Sequence, residues 1–417
     1  MINYSKLRFD EETNLVKVLE DDFAFKNYYG IFENEDELTN VVNSLLSRGI
    51  QLNKIIAPRL YQICSDVKKT IDFDEDIDFY IISDVEFNAF SINGFNYVPH
   101  IICLTSSLVQ SFSDDELAFV IGHEIGHLIF KHSQLGIVRS MLINNASRSL
   151  PAQIQNIFAR WQKYGEISSD RIGYIAMPNI ETIGKVFFKL ASGLSEEHLQ
   201  FNIKEYLNQL DNIKNMSRSE FFASHPSNLV RLKCLELFSQ SEFYSECKQT
   251  PMSQDELKAA MHEVLNLLEY HPKNDDQKYA VEFIASVGMF ISCVDGEINP
   301  KENETLYNFL SRYTSQPENY LKFKDIQEVV DRTNAICEYY ADAKNDSKFT
   351  LCELIAYLTI CDGKLDEQEK RALYDLADRL HIEHDRMTQI IRYVLRYLEP
   401  QHTGQSAPAG NFFQTVK

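Results

Sequence analysis

The spacing of hydrophobic residues changes twice along the first third of the chain. In residues 36–70, apolar side chains recur at intervals of three and four, which predicts a pair of packing helices. Residues 76–92 and 97–105 are instead rich in Ile, Phe, Tyr and Val, with the turn sequence NGFN between them, which predicts a hairpin or small sheet. Helical patterns follow, so the expected fold class is α+β and predominantly α.

Two capping boxes mark predicted helix starts. The Ser113 hydroxyl can accept from an early helical amide while Glu116 reaches back, so a helix should begin at about residue 114 and run past His127. Ser253 and Glu256 repeat this pattern at the start of a connecting helix. Further helices are predicted at about residues 135–145, 152–175, 180–192, 196–213 and 227–240.

The last third of the chain contains an internal repeat. The segments CVDGEINPKENETLYNFL and ICDGKLDEQEKRALYDLA align, with Asp295 on Asp362 and Glu302 on Glu369. Each copy lies between apolar helical segments, so this region should be all-helical and built from two similar halves. The sequence therefore predicts a helical region over 1–70, a second domain over 71–250, a connecting helix over 251–272, an all-helical domain over 273–399 and a disordered tail over 400–417.

Composition excludes some classes of partner and compartment. The formal net charge is -20 and no Lys and Arg cluster is present, which argues against a nucleic-acid partner. The eight cysteines form no CxxC pair and lie mostly among apolar residues, which is typical of reduced thiols. The chain begins without a basic and apolar leader, and its apolar stretches are shorter than the ~20 residues of a transmembrane helix. A cytoplasmic protein without a transmembrane segment is expected.

Residues 123–127 read HEIGH inside an apolar helical segment, which predicts a metal site. His123 and His127 lie on one face of a helix and can bind one zinc ion, with Glu124 beside it as a general base toward water. Chance alone would supply such a pattern with a probability of roughly two per cent. A buried helix with two unpartnered imidazoles and a carboxylate would cost several kcal/mol, and a metal removes that cost. His132, five residues after His127, is expected to point away from the ligand face.

The third ligand is predicted downstream of this helix. The metzincin pattern requires Gly at position 130 and His at position 133, but the chain has Phe130 and Ser133. Glu166 and Asp170 lie four residues apart on one predicted helix face. Glu166 would bind the zinc, and Asp170 would accept from the second nitrogen of a ligand histidine. The alternative is that these two residues form a solvated acidic pair.

Together, these motifs resemble a known family, the zinc metallopeptidases that include HtpX, the Oma-type proteases and the CaaX prenyl proteases, with a gluzincin-type core. The resemblance rests on four segments in family order: Asn88-Ala89-Phe90, HEIGH followed by KH, EISSD, and SHPSNLVRL. It implies that Asn88, Ala89 and Phe90 form a substrate-binding strand edge. It also implies that His225 stabilises the oxyanion and that Arg231 supports the site.

The expected activity is hydrolysis of peptide bonds in a protein or peptide substrate, with one zinc ion per chain and Glu124 as the base. An alternative reading is a catalytically silent, stress-related interaction protein in which the zinc is structural. Glu124 argues against the alternative, because a structural site does not need a base.

The repeated DG…E segments allow two readings. They reproduce the second half of an EF-hand loop, but Ile, Cys and Leu stand where its first carboxylates should be. Helix capping explains the same residues without a ligand. The repeat also resembles the TerB-like domain of tellurite-resistance proteins, which implies a link to stress responses, a regulatory partner and a weak acidic metal site at Asp295, Glu302, Asp362 and Glu369. This domain or the tail is further expected to gate the peptidase.

Overall fold

A computed structural model describes residues 2–21, 43, 45, 47–94, 98–136, 152–195, 197–198, 200–213, 221, 223, 225–243, 251–293, 300–341, 347–361 and 364–398. The chain divides into two compact units, one of residues 1–150 and 157–268 and the other of residues 151–156 and 269–417. The predicted fold class, α+β and predominantly α, is confirmed. The division into five regions stays a prediction.

The first unit combines a small sheet with surrounding helices. Its described elements are α1 (Tyr4–Leu7), α2 (Asp10–Asp21), β1 (Gly49–Gln51), α3 (Pro58–Ile71), β2 (Ile77–Ile82), β3 (Ala89–Ile92), β4 (His100–Thr105), α4 (Ser106–Ser111), α5 (Asp114–Ile129), α6 (Ala152–Ala176), α7 (Ile180–Ser192), α8 (Ile203–Asn208), α9 (Asn228–Ser239) and α10 (Gln254–Leu265). Leu257, Met261 and Leu265 of α10 pack into the core of this unit. No described helix is both long and apolar enough to cross a membrane.

The sheet has the strand order β1-β2-β4-β3. Strands β3 and β4 pair antiparallel, as the predicted hairpin requires, and β2 runs parallel to β4. Strand β1 pairs antiparallel with β2, although its residues were expected within a helix pair, and that prediction is wrong. A Cβ at Gly49 would lie 2.6 Å from the Ile81 carbonyl oxygen, so the glycine permits a close strand pairing that helical periodicity does not reveal.

Most predicted helices of this unit are present. The helix α5 begins after Ser113 with the predicted capping box, in which the Glu116 carboxylate accepts from the Ser113 amide at 2.7 Å. The helices α6, α7 and α9 lie within a few residues of their predicted ranges. The helix predicted at 196–213 is shorter, because the Asn202 side chain caps it and α8 begins at residue 203. Most of the helix predicted at 135–145 lies outside the described residues.

The described secondary-structure elements of the second unit are helices, and this unit also includes residues 152–156 at the start of α6. Its helices are α11 (Asp275–Ser292), α12 (Pro300–Leu310), α13 (Ile326–Ala341), α14 (Ser347–Thr359), α15 (Glu367–Arg379) and α16 (His384–Leu398). The pairs α11–α12 and α14–α15 correspond to the two copies of the sequence repeat. The Asp366 side chain and Glu369 form the predicted capping box at the start of α15. The TerB-like resemblance of this unit stays a prediction.

Glycines let α5 approach α6 closely. A Cβ at Gly126 would lie 2.7 Å from the Ser169 Cα, and one at Gly122 would lie 3.1 Å from the Gly173 Cα. These contacts are with backbone or short side chains, so the neighbouring helix cannot yield without moving. The two helices can therefore place side chains from both of them in one small site.

Replacing Gly126 with Ala should lower the free energy of unfolding by about 1 to 3 kcal/mol, because the added methyl group overpacks against Ser169. Urea unfolding followed by circular dichroism measures this change. Gly136→Ala is the matched control, since a Cβ there would meet nothing within 4 Å. An equally small effect of both substitutions would contradict the close packing of α5 on α6.

Candidate metal centre

Three side chains from α5 and α6 converge on one point. His123, His127 and Glu166 each offer a ligand atom, and these atoms lie within 4.8 Å of one another. The two Nε2 atoms are 3.0 Å apart, and each lies 3.5 Å from one oxygen of the Glu166 carboxylate. Two histidines and one glutamate leave a fourth position open, as in catalytic zinc sites.

The surroundings of Glu166 show that this group fits a metal ion. Its Oε2 atom is buried and accepts no hydrogen bond, although it faces the His123 imidazole. Arg231 Nη1 lies 3.2 Å from the same oxygen and supplies charge. A buried acceptor without a donor is costly, and two ring nitrogens facing each other need a cation or a shared proton between them. A zinc ion bound by these three residues would satisfy all three ligand atoms.

Asp170 lies against His123, where it can hold the imidazole in one orientation. The Asp170 Oδ1 atom lies 2.9 Å from His123 Nδ1. Arg231 donates to both oxygens of Asp170, from Nε at 2.8 Å and from Nη2 at 2.6 Å. When Nδ1 donates to this carboxylate, the lone pair of Nε2 is left for a metal.

His127 is held by a residue that sequence spacing misjudges. The Nδ1 atom of His132 lies 2.7 Å from Nδ1 of His127, and its Nε2 atom lies 3.0 Å from Oε1 of Glu12. His132 is not in the ligand group, as expected, but its contact with the far nitrogen of His127 was not predicted. The helix α5 ends at Ile129, and Lys131 takes a left-handed conformation with φ of 58°, so helical spacing no longer applies. In the sequence, only the Lys131-His132 pair shortly after HEIGH indicates a further histidine near the site. No neighbouring residue indicates that Glu12 contributes to it.

Glu124 lies beside the ligands in a buried position. Burial raises the pKa of its carboxyl group, while the charge of His123 and a hydrogen bond from Ser91 act in the opposite direction. Ser91 belongs to β3, so the edge strand of the sheet lies near this carboxylate. A carboxylate with a raised pKa can accept a proton and hold it.

The pKa values of the ligand groups follow from burial and from their neighbours. Burial lowers the pKa of His127 well below its usual range, which keeps this imidazole neutral. Burial alone would raise the pKa of Glu166, but the Arg231 charge and the neighbouring histidines hold it well below normal. For His123, burial is outweighed by its contacts with Asp170 and Glu166, which raise its pKa to about 9, so a metal would displace a proton there.

His225 completes the described surroundings of Glu166. Its Nδ1 atom lies 3.1 Å from Glu166 Oε1, and its side chain is 65% exposed. It therefore faces solvent, whereas His123 and Glu166 are buried.

The three residues expected to bind substrate lie at β3. Ala89 and Phe90 pair with Leu104 and Cys103 of β4, and the Asn88 amide donates to the Thr105 hydroxyl at 3.0 Å. Within the described sheet, β3 has no strand on its other side. Its free edge can therefore form backbone hydrogen bonds with an extended peptide.

Comparison with known proteins is consistent with a metal site in this segment. Residues 56–238 match the model of Peptidase family M48. A curated relative is the chloroplastic plastoglobule-localized metallopeptidase 48 of Arabidopsis thaliana, which is 25% identical over 186 residues. That alignment covers 40% of this chain and 53% of the relative, so the chain spans about half of the relative's length. Both findings support a metallopeptidase of the M48 family over the matched segment.

The M48 match contains every residue of the predicted peptidase site and ends before residue 269, where the larger part of the second unit begins. In that unit, Asp295 and Asp362 lie outside the described residues. Glu302 is buried, and the Glu369 carboxylate accepts from the Asp366 amide at 2.7 Å. Glu369 thus serves as a helix cap, and the acidic metal site stays a prediction.

Arg231→Met should lower the free energy of unfolding of the first unit by about 3 to 5 kcal/mol, because Asp170 and Glu166 would remain buried without their cation. Urea unfolding in the presence of a chelator measures the free energy of unfolding of the metal-free protein, so zinc binding cannot offset the loss. Lys233→Met on the same helix is the control, since its ion pair with Glu236 is partly exposed and should contribute at most about 1 kcal/mol. Equal losses in the two variants would contradict this account.

Proposed function

We propose that the protein is a zinc-dependent endopeptidase and that Glu124 is its general base. The observation that carries the proposal is a buried carboxylate of raised pKa beside two histidines and a glutamate that can hold one metal ion. When bound, zinc would polarise the scissile carbonyl and lower the pKa of a water molecule to about 7. His123, His127 and Glu166 would hold it.

The proton transfers would use residues of the chain itself. Glu124 would take a proton from the attacking water and later pass it to the leaving amine. Ser91, which neighbours Glu124 from β3, would help to keep the carboxylate directed at that water. His225, which is exposed and lies next to Glu166, would donate to the developing oxyanion from the solvent side.

The edge of β3 would bind the substrate as an added strand. Asn88, Ala89 and Phe90 would contribute mainly backbone groups, because strand addition recognises an extended main chain. Side-chain preference should consequently be loose. The same strand carries Ser91, so the substrate would lie within reach of the base.

The alternative is a catalytically silent interaction protein with structural zinc. Structural zinc sites normally have four protein ligands, whereas the described group contributes three. A buried general base next to an open coordination position supports catalysis instead. The cytoplasmic location and a role in stress responses stay predictions.

Glu124→Gln should keep zinc bound while reducing the rate of casein cleavage by at least about 100-fold, because the amide cannot accept the proton of the water. Zinc content is measured on the same samples, and removal of zinc from the wild type should also stop cleavage until zinc is restored. If both proteins bind zinc and are equally inert, even after screening for activators, the endopeptidase assignment is wrong.

We also propose that the second unit or the tail regulates this activity. Deleting residues 400–417, and separately residues 269–417, should raise the rate of casein cleavage if either segment blocks the cleft. The second cut is placed after residue 268 because Leu257, Met261 and Leu265 belong to the core of the first unit. Unchanged rates in both deletions, with zinc content and thermal stability preserved, would exclude this form of regulation.

A further inference from the structure

We infer that Glu12 and His132 are positioning residues for the ligand His127 and that the N-terminal helix α2 is part of the metal centre. This inference rests on the proposed function, since it concerns the same metal site. It is carried by a continuous contact chain of Glu12 Oε1, His132 and His127, with atom separations of 3.0 Å and 2.7 Å.

Glu12 is held rigidly at the far end of this chain. Its side chain is fully buried. Arg8 donates to Oε1 from Nε at 2.9 Å and from Nη2 at 2.6 Å, and the Ser168 hydroxyl donates to Oε2. Both carboxylate oxygens are thus engaged as acceptors, which is what an ionised glutamate requires in a buried site.

The direction of the hydrogen bonds follows from the carboxylate. An ionised Glu12 can only accept, so when His132 carries a single ring proton, that proton lies on Nε2. The Nδ1 atom of His132 is then an acceptor and can receive the proton on Nδ1 of His127. His127 is left with a free lone pair on Nε2, which is the atom that faces Glu166 and His123. The chain therefore selects the tautomer of His127 that can bind a metal.

The two ligand histidines are supported in matching ways. For His123 the support is Asp170, which is paired with Arg231. For His127 it is Glu12, paired with Arg8 and acting through His132. A direct carboxylate and a relayed carboxylate thus impose the same tautomer on the two ligands.

The residues next to Glu12 also contact the helix that carries Glu166. The Phe9 amide donates to the Ser168 hydroxyl at 2.9 Å, and the Phe9 ring packs edge-on against Tyr164 at 5.4 Å. Glu12 lies outside residues 56–238, the span of the family match. Docking of α2 and retention of zinc should therefore be coupled in this chain.

The test measures zinc affinity of the full-length protein by competition with a chromophoric chelator. Glu12→Ala and His132→Phe should each raise the zinc dissociation constant by about 10- to 100-fold, the range for lost partners of metal ligands. Glu12→Gln should stay close to wild type, because its amide oxygen can take the Oε1 position while its nitrogen donates to Ser168. The visible spectrum of the cobalt-substituted protein should change in the two weakened variants and not in Glu12→Gln.

A matched control separates positioning from loss of stability. Glu116 is likewise buried and paired with a cation, Lys189, at 2.8 Å, and it caps the helix that carries His123. Glu116→Ala should lower the melting temperature and leave zinc affinity near wild type. An equal loss of zinc affinity in Glu116→Ala, or wild-type affinity in Glu12→Ala and His132→Phe, would overturn the inference.

His132→Gln keeps the test decisive if those two variants fold poorly. Its amide nitrogen can replace Nε2 and still donate to Glu12, but no acceptor then faces Nδ1 of His127. Weaker zinc binding at an unchanged melting temperature would support the relay, and wild-type zinc binding would exclude it.

Failure of the relay can be told apart from failure of the proposed function. If the wild type cleaves casein and the Glu12 and His132 variants keep its zinc affinity, only the relay is wrong. If the variants lose zinc as expected but the wild type is inert, only the endopeptidase proposal is wrong. A wild-type chain that binds no zinc would overturn both.

Discussion

The close approach of α5 and α6 is the constraint on which the metal centre depends. Both histidines come from one helix and Glu166 from the other, and their ligand atoms must meet within a few ångströms. Gly122, Gly126 and Gly173 make this possible because side chains there would collide with the neighbouring helix. The apolar residues of α5 then bury this contact in the core of the unit. The HEIGH sequence thus encodes a packing surface as well as two ligands and a base.

This packing buries several carboxylates close together, and their charges must be stabilised. Glu12, Glu124, Glu166 and Asp170 are all buried in one region, and ionised carboxylates are costly there unless they are paired. Arg231 forms ion pairs with Glu166 and Asp170, and Arg8 forms one with Glu12. Burial alone would raise the pKa of Glu12, but the interactions with His132 and Arg8 outweigh it and bring the value to about 2. Glu124 keeps a raised pKa, so the group proposed as a base differs in this respect from Glu12.

The features that sequence predicts well are those set by neighbours a few residues apart. The capping box at Ser113 and the spacings of His123 to His127 and Glu166 to Asp170 depend only on helix geometry. Strand β1 was missed because its pairing with β2 is a long-range contact. Glu12 was missed for the same reason, since an acidic residue in the first turns of a helix normally faces water and here lies against a histidine 120 positions later.

The distribution of exposure around the site indicates how a substrate would reach it. His123, Glu124, Glu166, Asp170 and Glu12 are buried, so the side of the ligands that faces Arg231 and α2 is closed to a peptide. His225 is exposed next to Glu166, and the edge strand β3 reaches Glu124 through Ser91. A peptide added to β3 would therefore place a carbonyl between the base and His225, whereas the closed side would keep the tautomers of the ligands fixed. The same separation would let the site hold a metal rigidly and still admit a peptide.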